Sequence, residues 1–195
     1  MTDDTRHDRS EPAPLATGRL GMRLLLAALA VLFAASVTGL LVVRSNAAVW
    51  PPPGVPELPR GLWLSTLLIL AASAAIHWGL TGIRRGDAQR LRRGLALTAL
   101  LGLGFLASQT VSWFALVAVN LTAKTNLYGF TFYLLTGLHA LHVVGGLVPL
   151  GLVTARAWRG RYSAASYEGV EYTATYWHFL DVIWLILWVV LLLTS

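Results

Sequence analysis

Apolar residues fall into five long runs separated by short polar segments: Leu20–Val43, Leu62–Ile83, Gly94–Val119, Phe130–Arg156 and Thr173–Thr194. At ~1.5 Å rise per residue, each run is long enough to cross ~30 Å of hydrocarbon as a helix. The pattern predicts an all-α integral membrane protein, a bundle of five transmembrane helices. Pro149 lies late in the fourth run, a place where a bundle tolerates a kink.

The segments between the runs read differently. Residues 1–18 are polar, with prolines and mixed charge, and are expected to form a disordered tail. Residues 19–195 then form one membrane domain. The first apolar run exceeds a signal-peptide core in length, and no small-x-small site closes it, so it reads as a retained span. The stretch Trp50 to Pro59, WPPPGVPELP, cannot be helical throughout and is expected to be a stiff extended connector.

Composition supports the membrane class: 56% of residues are hydrophobic and 12% charged. The absence of cysteine excludes disulfides, thiolate metal sites and cysteine nucleophiles. The net charge of +6 would suit nucleic acid, but the basic residues sit between the spans, where they set orientation. Arg6, Arg9, Arg19, Arg23, Arg84, Arg85, Arg90, Arg92, Arg93, Arg156, Arg159 and Arg161 belong to one side of the membrane. Arg44, Arg60 and Lys124 belong to the other. Twelve against three predicts a cytoplasmic N-terminus and an external C-terminus.

The candidate chemistry lies in the last two runs. His139 and His142 are three residues apart and share a helix face, as do His178 and Asp181; Glu171 precedes His178 by seven residues. An ionisable group at membrane depth costs at least ~2.5–3.5 kcal/mol unless it is paired. These groups are expected to form a buried hydrogen-bonded cluster locking the fourth helix to the fifth. Such a cluster places Glu171, His178 or Asp181 within hydrogen-bond reach of His139 or His142. A mononuclear metal site using both imidazoles with Asp181 or Glu171, and a proton relay, are the sharper alternatives. One helix cannot supply both axial ligands of a haem.

Other features carry less. Gly137, Ala140, Gly145 and Gly146 on the fourth run, and Gly102 and Gly104 on the third, make small-residue surfaces for close packing. Trp50, Trp63, Trp78 and Trp158 stand near span ends as interfacial anchors, and Trp184 and Trp188 lie deeper. His77 reads as interfacial or structural. Phosphate-binding loops, dinucleotide motifs, zincin motifs and hydrolase elbows are absent from the sequence. No repeat suggests a transporter.

Several strings together resemble a family. They are Tyr128-Gly129, Phe132-Tyr133, Thr136-Gly137-Leu138-His139-Ala140-Leu141-His142-Val143, Gly169-Val170-Glu171 and Tyr176-Trp177-His178-Phe179-Leu180-Asp181-Val182-Ile183-Trp184. Leu20-Gly21-Met22, Trp50-Pro51-Pro52 and Arg85-Gly86-Asp87 extend the likeness upstream. The chain resembles subunit III of the haem–copper terminal oxidases in its short five-helix bacterial form. The resemblance implies a non-catalytic subunit of a cytochrome c oxidase in the bacterial inner membrane, which stabilises subunit I and supports proton uptake, partnered by subunit I and also subunit II. It implies no haem or copper in this chain, those belonging to partner subunits, and a bound phospholipid in a cleft. His139, His142, Glu171, His178 and Asp181 carry over as structural and lipid-cleft residues. A quinol oxidase or nitric oxide reductase accessory subunit is the related alternative; a stand-alone membrane metal or haem protein is the alternative from another class. The sequence also departs from the family pattern. Leu29, Ser112 and Thr125 stand where acids are usual, and Ser65 where an asparagine is usual. A scaffold role with little carboxylate chemistry in proton uptake is expected from these losses.

Overall fold

The computed structural model describes the backbone of residues 14–195 and the side chains from residue 18 onward. Within that range the chain is five helices: α1 (Pro14–Asn46), α2 (Gly61–Arg84), α3 (Ala88–Ala118), α4 (Leu127–Trp158) and α5 (Glu168–Thr194). All five are long and apolar enough to cross a membrane, as the apolar runs predict. Most of the expected tail lies outside the described residues, and its last residues, from Pro14, already belong to α1.

Local chemistry explains why some helices outrun the apolar segments. Asp87 accepts a hydrogen bond from the Arg90 N–H at 2.8 Å, so α3 starts six residues before Gly94. Asn126 does the same for Gly129 at 2.7 Å and starts α4. Arginines gathered into the first turns of α3 bond carbonyls of neighbouring helices. Arg92 donates to Ala157 O at 3.0 Å, near the C-terminus of α4, where a cation also complements the helix dipole. Arg90 donates to Trp78 O and lies over the Trp78 ring; Arg92 lies over Trp158. Two of the expected tryptophan anchors are thus fixed by arginines.

Helices α2, α3, α4 and α5 form a closed ring in which each packs on two neighbours, and α1 touches only α4 and α5. The tightest pair is α2 and α3. They meet at Gly79 and Gly94, where a Cβ on Gly94 would fall 2.6 Å from the Gly79 Cα. The ring encloses Trp177, Trp184, Phe105, Phe132 and Ile69, all fully buried. Trp184 Nε1 donates to Thr66 Oγ1 at 2.9 Å and Trp113 Nε1 to Thr136 Oγ1 at 3.1 Å, tying α5 to α2 and α3 to α4, neighbours in the ring. Helix α4 continues through Pro149.

The five helices define two ends. One carries the arginine loops between α2 and α3 and between α4 and α5, here termed the arginine end. The other carries the proline loop between α1 and α2. As expected, Trp50 to Pro59 is not helical. Trp50 Nε1 donates to Thr194 O at 2.6 Å and its ring lies 5.4 Å from that of Tyr128, pinning the loop over the ends of α4 and α5.

Candidate functional site: two polar seams on the fifth helix

The five ionisable groups of the last two helices do not form one cluster. They divide between two seams, because α4 and α5 turn their polar faces toward different neighbours.

The first seam lies between α2 and α5. At the arginine end, Arg84 Nη2 meets Glu171 Oε1 at 3.1 Å, with both side chains partly exposed. Further along, Ser73 Oγ and His178 Nδ1 share a hydrogen bond of 2.6 Å. The rings of His178 and His77 lie 6.0 Å apart. Asp181 comes next and is 4% exposed, with neither carboxyl oxygen hydrogen-bonded. The α5 positions 171, 178 and 181 face the α2 positions 84, 77 and 73, spacings of seven and then three or four that keep one stripe on each helix.

The second seam involves α4. His139 is fully buried between Phe33, Phe105 and Trp184, with ring centroids 6.2, 5.5 and 5.1 Å away. Neither of its ring nitrogens has a hydrogen-bond partner. His142 Nδ1 lies 2.7 Å from Leu138 O. A carbonyl only accepts, so Nδ1 carries the hydrogen. The other face of His142 borders a groove between α1, α4 and α5.

That groove has a volume of about 540 Å³ and is lined by Met22, Leu25 and Leu29 of α1, His142, Gly145, Pro149, Leu152 and Arg156 of α4, and Gly169, Tyr172 and Tyr176 of α5. It exists because α1 stands outside the ring. Gly145 leaves the wall open, with only the Tyr176 hydroxyl, 3.9 Å away, near the place of a Cβ. Tyr176 OH donates to His142 O at 3.0 Å and closes the floor. Toward the arginine end the groove adjoins a second hollow lined by Arg19, Met22, Arg23, Glu171, Tyr172 and Thr175.

No hydrogen bond joins Glu171, His178 or Asp181 to His139 or His142; Glu171 and His178 instead use α2, through Arg84 and Ser73. Ser73, His77 and Arg84 repeat the stripe spacing of α5 in the sequence, but spacing alone does not say that the two stripes meet. Among the described residues no group of three or more histidine, aspartate or glutamate side chains is gathered as a metal site requires. The metal reading of His139 and His142 with Asp181 or Glu171 therefore lacks its third ligand. The glycine surface of α4 is divided too. Gly146 meets the Tyr176 ring, whereas nothing lies within 4 Å of a Cβ on Gly137.

The departures from the family pattern have local roles. Leu29 lines the groove. Ser112 is buried, donates to Ser108 O at 2.9 Å, and its hydroxyl fills the space where Gly61 would carry a Cβ. Ser65 bonds Ser108 at 3.0 Å. Thr125 closes the turn between α3 and α4, accepting from Thr122 N and donating to Asn120 O.

Comparison with known proteins finds one family along nearly the whole chain. The profile of the family described as cytochrome c oxidase subunit III covers residues 17–195. The "Cytochrome c oxidase subunit 3" of Synechocystis sp. is 38% identical over 178 residues, covering 89% of this chain and 74% of that protein. That of Thermostichus vulcanus is 32% identical, covering 88% of this chain and 85% of the relative. A "Probable cytochrome c oxidase subunit 3" of Mycobacterium leprae is 34% identical, covering 73% and 70%. On five membrane-spanning helices, the histidine and aspartate strings of α4 and α5, and a profile match across nearly the whole membrane domain, the chain belongs to the cytochrome c oxidase subunit III family.

Proposed function

We propose that this oxidase subunit works as a lipid-holding scaffold, seating an anionic phospholipid in the groove beside α1 and bracing the catalytic subunit I. The single observation that carries this reading is the groove itself, an apolar channel that opens beside cations. Leu25, Leu29, Pro149 and Leu152 offer an acyl chain the surface it needs. Arg156 at the mouth, with Arg19 and Arg23 in the adjoining hollow, offers a headgroup phosphate its counter-charge. Leu29 contributes to this role by being apolar, since an acid there would face the acyl chain.

Orientation follows the same charges. With twelve basic residues on the arginine side and three on the other, the N-terminus lies in the cytoplasm and the C-terminus outside, in a bacterial plasma membrane. The headgroup then belongs to the cytoplasmic leaflet. Haem and copper belong to subunits I and II, and this chain contributes no redox ligand. The relatives' names favour a cytochrome c oxidase over a quinol oxidase or nitric oxide reductase.

The test is lipid analysis of the purified oxidase complex. Arg156→Gln combined with Arg23→Gln should reduce the co-purifying anionic phospholipid by about one molecule per complex, and Leu29→Trp should exclude it by filling the groove. Unchanged lipid content in both variants would refute the assignment.

A further inference from the structure

The α2–α5 seam holds groups that the lipid groove leaves unused. Asp181 is buried, and neither oxygen is hydrogen-bonded. An ionised carboxylate without a partner at this depth is strongly disfavoured, and a neutral carboxylic acid avoids most of that cost. Ser73 Oγ, bonded to His178 one turn along the same stripe, is the hydroxyl near this carboxyl, with no hydrogen bond between the two. His178 is half-buried and faces the ring of His77, which is exposed. An acid, a hydroxyl and two imidazoles therefore run in order from the interior to the surface. The other charged groups on this seam are Arg84 and Glu171, paired with each other. Glu171 lies seven residues from His178, roughly 10 Å along the helix. On α4, His139 and His142 pack against Phe33 instead, on the α1 side.

We infer that Asp181, Ser73, His178 and His77 form a proton-exchange site, in which a protonated Asp181 trades its proton with the surface of the chain. The Asp181 O–H gives its proton to Ser73 Oγ as the Ser73 hydroxyl gives its own to His178 Nδ1. This leaves a carboxylate, a neutral hydroxyl and an imidazolium. The imidazolium then releases its Nε2 proton toward His77 and water. One proton moves, no electron does, and the reverse sequence restores the acid. The site is independent of the groove, which uses Tyr172 and Tyr176 of α5.

Infrared spectroscopy of the intact oxidase complex, transferred from H2O to D2O, tests this. A protonated-carboxyl C=O band should be present, shift down on deuteration, vanish in Asp181→Asn and move in Asp181→Glu. Carbon-13 labelling of aspartate assigns the band in the wild type if neither variant assembles. Ser73→Ala and His178→Gln should keep the band and slow its deuteration about tenfold or more. A purely structural role would alter stability and leave the exchange rate unchanged. Absence of a band belonging to Asp181, or wild-type deuteration rates in both pathway variants, would overturn the inference.

Discussion

Placing a single methyl group at Gly94 should destabilise the bundle, because the atoms it would meet cannot move aside. A Cβ there would lie 2.6 Å from the Gly79 Cα, 2.8 Å from Ala75 O and 2.9 Å from Gly79 N. Carbon atoms in contact sit ~3.5–4.0 Å apart, so α2 and α3 must separate by roughly 1 Å. All three obstructing atoms are backbone. The separation would stretch the contact of Thr98 Oγ1 with Ala72 O, already 3.4 Å, and loosen the buried packing of Ile76, Leu91 and Leu95. Overpacking of this kind costs ~1–3 kcal/mol. Replacing glycine by alanine inside a helix returns up to ~1 kcal/mol. Gly94→Ala should therefore lose about 1–2 kcal/mol net, roughly a five- to thirtyfold change in the unfolding equilibrium. Gly137→Ala is the matched control. Nothing lies within 4 Å of its Cβ position, so it should be neutral or slightly stabilising. Denaturation with SDS in mixed micelles, followed by tryptophan fluorescence, would measure both. Equal midpoints for the two variants would refute the backbone contact as the reason these helices pack so closely.

Three further outcomes are expected. Thr66→Val removes the acceptor for Trp184 Nε1 and should cost about 1 kcal/mol in the same assay, with a shift in tryptophan emission; an unaltered midpoint and spectrum would show that the bond is not kept. In a double-mutant cycle, Arg84→Leu and Glu171→Gln should couple by less than about 1 kcal/mol, since both side chains are partly exposed, and a larger coupling would mean that the pair is shielded in the membrane. A reporter active only outside the cytoplasm should give signal when fused after Ser195 and none after Arg90; the opposite pattern would reverse the proposed orientation.

The number of spans and their approximate places were legible in the amino-acid sequence for a physical reason. A helix in hydrocarbon must satisfy its own backbone and present apolar side chains, so composition alone marks it. The capping residues Asp87 and Asn126 were equally local, and they account for the starts of α3 and α4 before the apolar runs begin. The polar stripe of Glu171, His178 and Asp181 was legible as a stripe. Its partner was not, because spacing along one helix fixes which residues share a face and leaves open which neighbour that face meets.

The tertiary structure decided that question. The ring order places α2 beside α5, so Ser73, His77 and Arg84 receive the α5 stripe, while His139 is left among the rings of Phe33, Phe105 and Trp184. It also decided which glycines matter. Gly79 and Gly94 are an ordinary pair in the sequence, and only the crossing of α2 and α3 brings their backbones together. The sequence by itself determined five membrane helices and their polar faces, since those depend on each helix and its solvent. Rotation and neighbour order depend on the packing of all five helices at once. That packing leaves α1 outside the ring and creates the groove beside it.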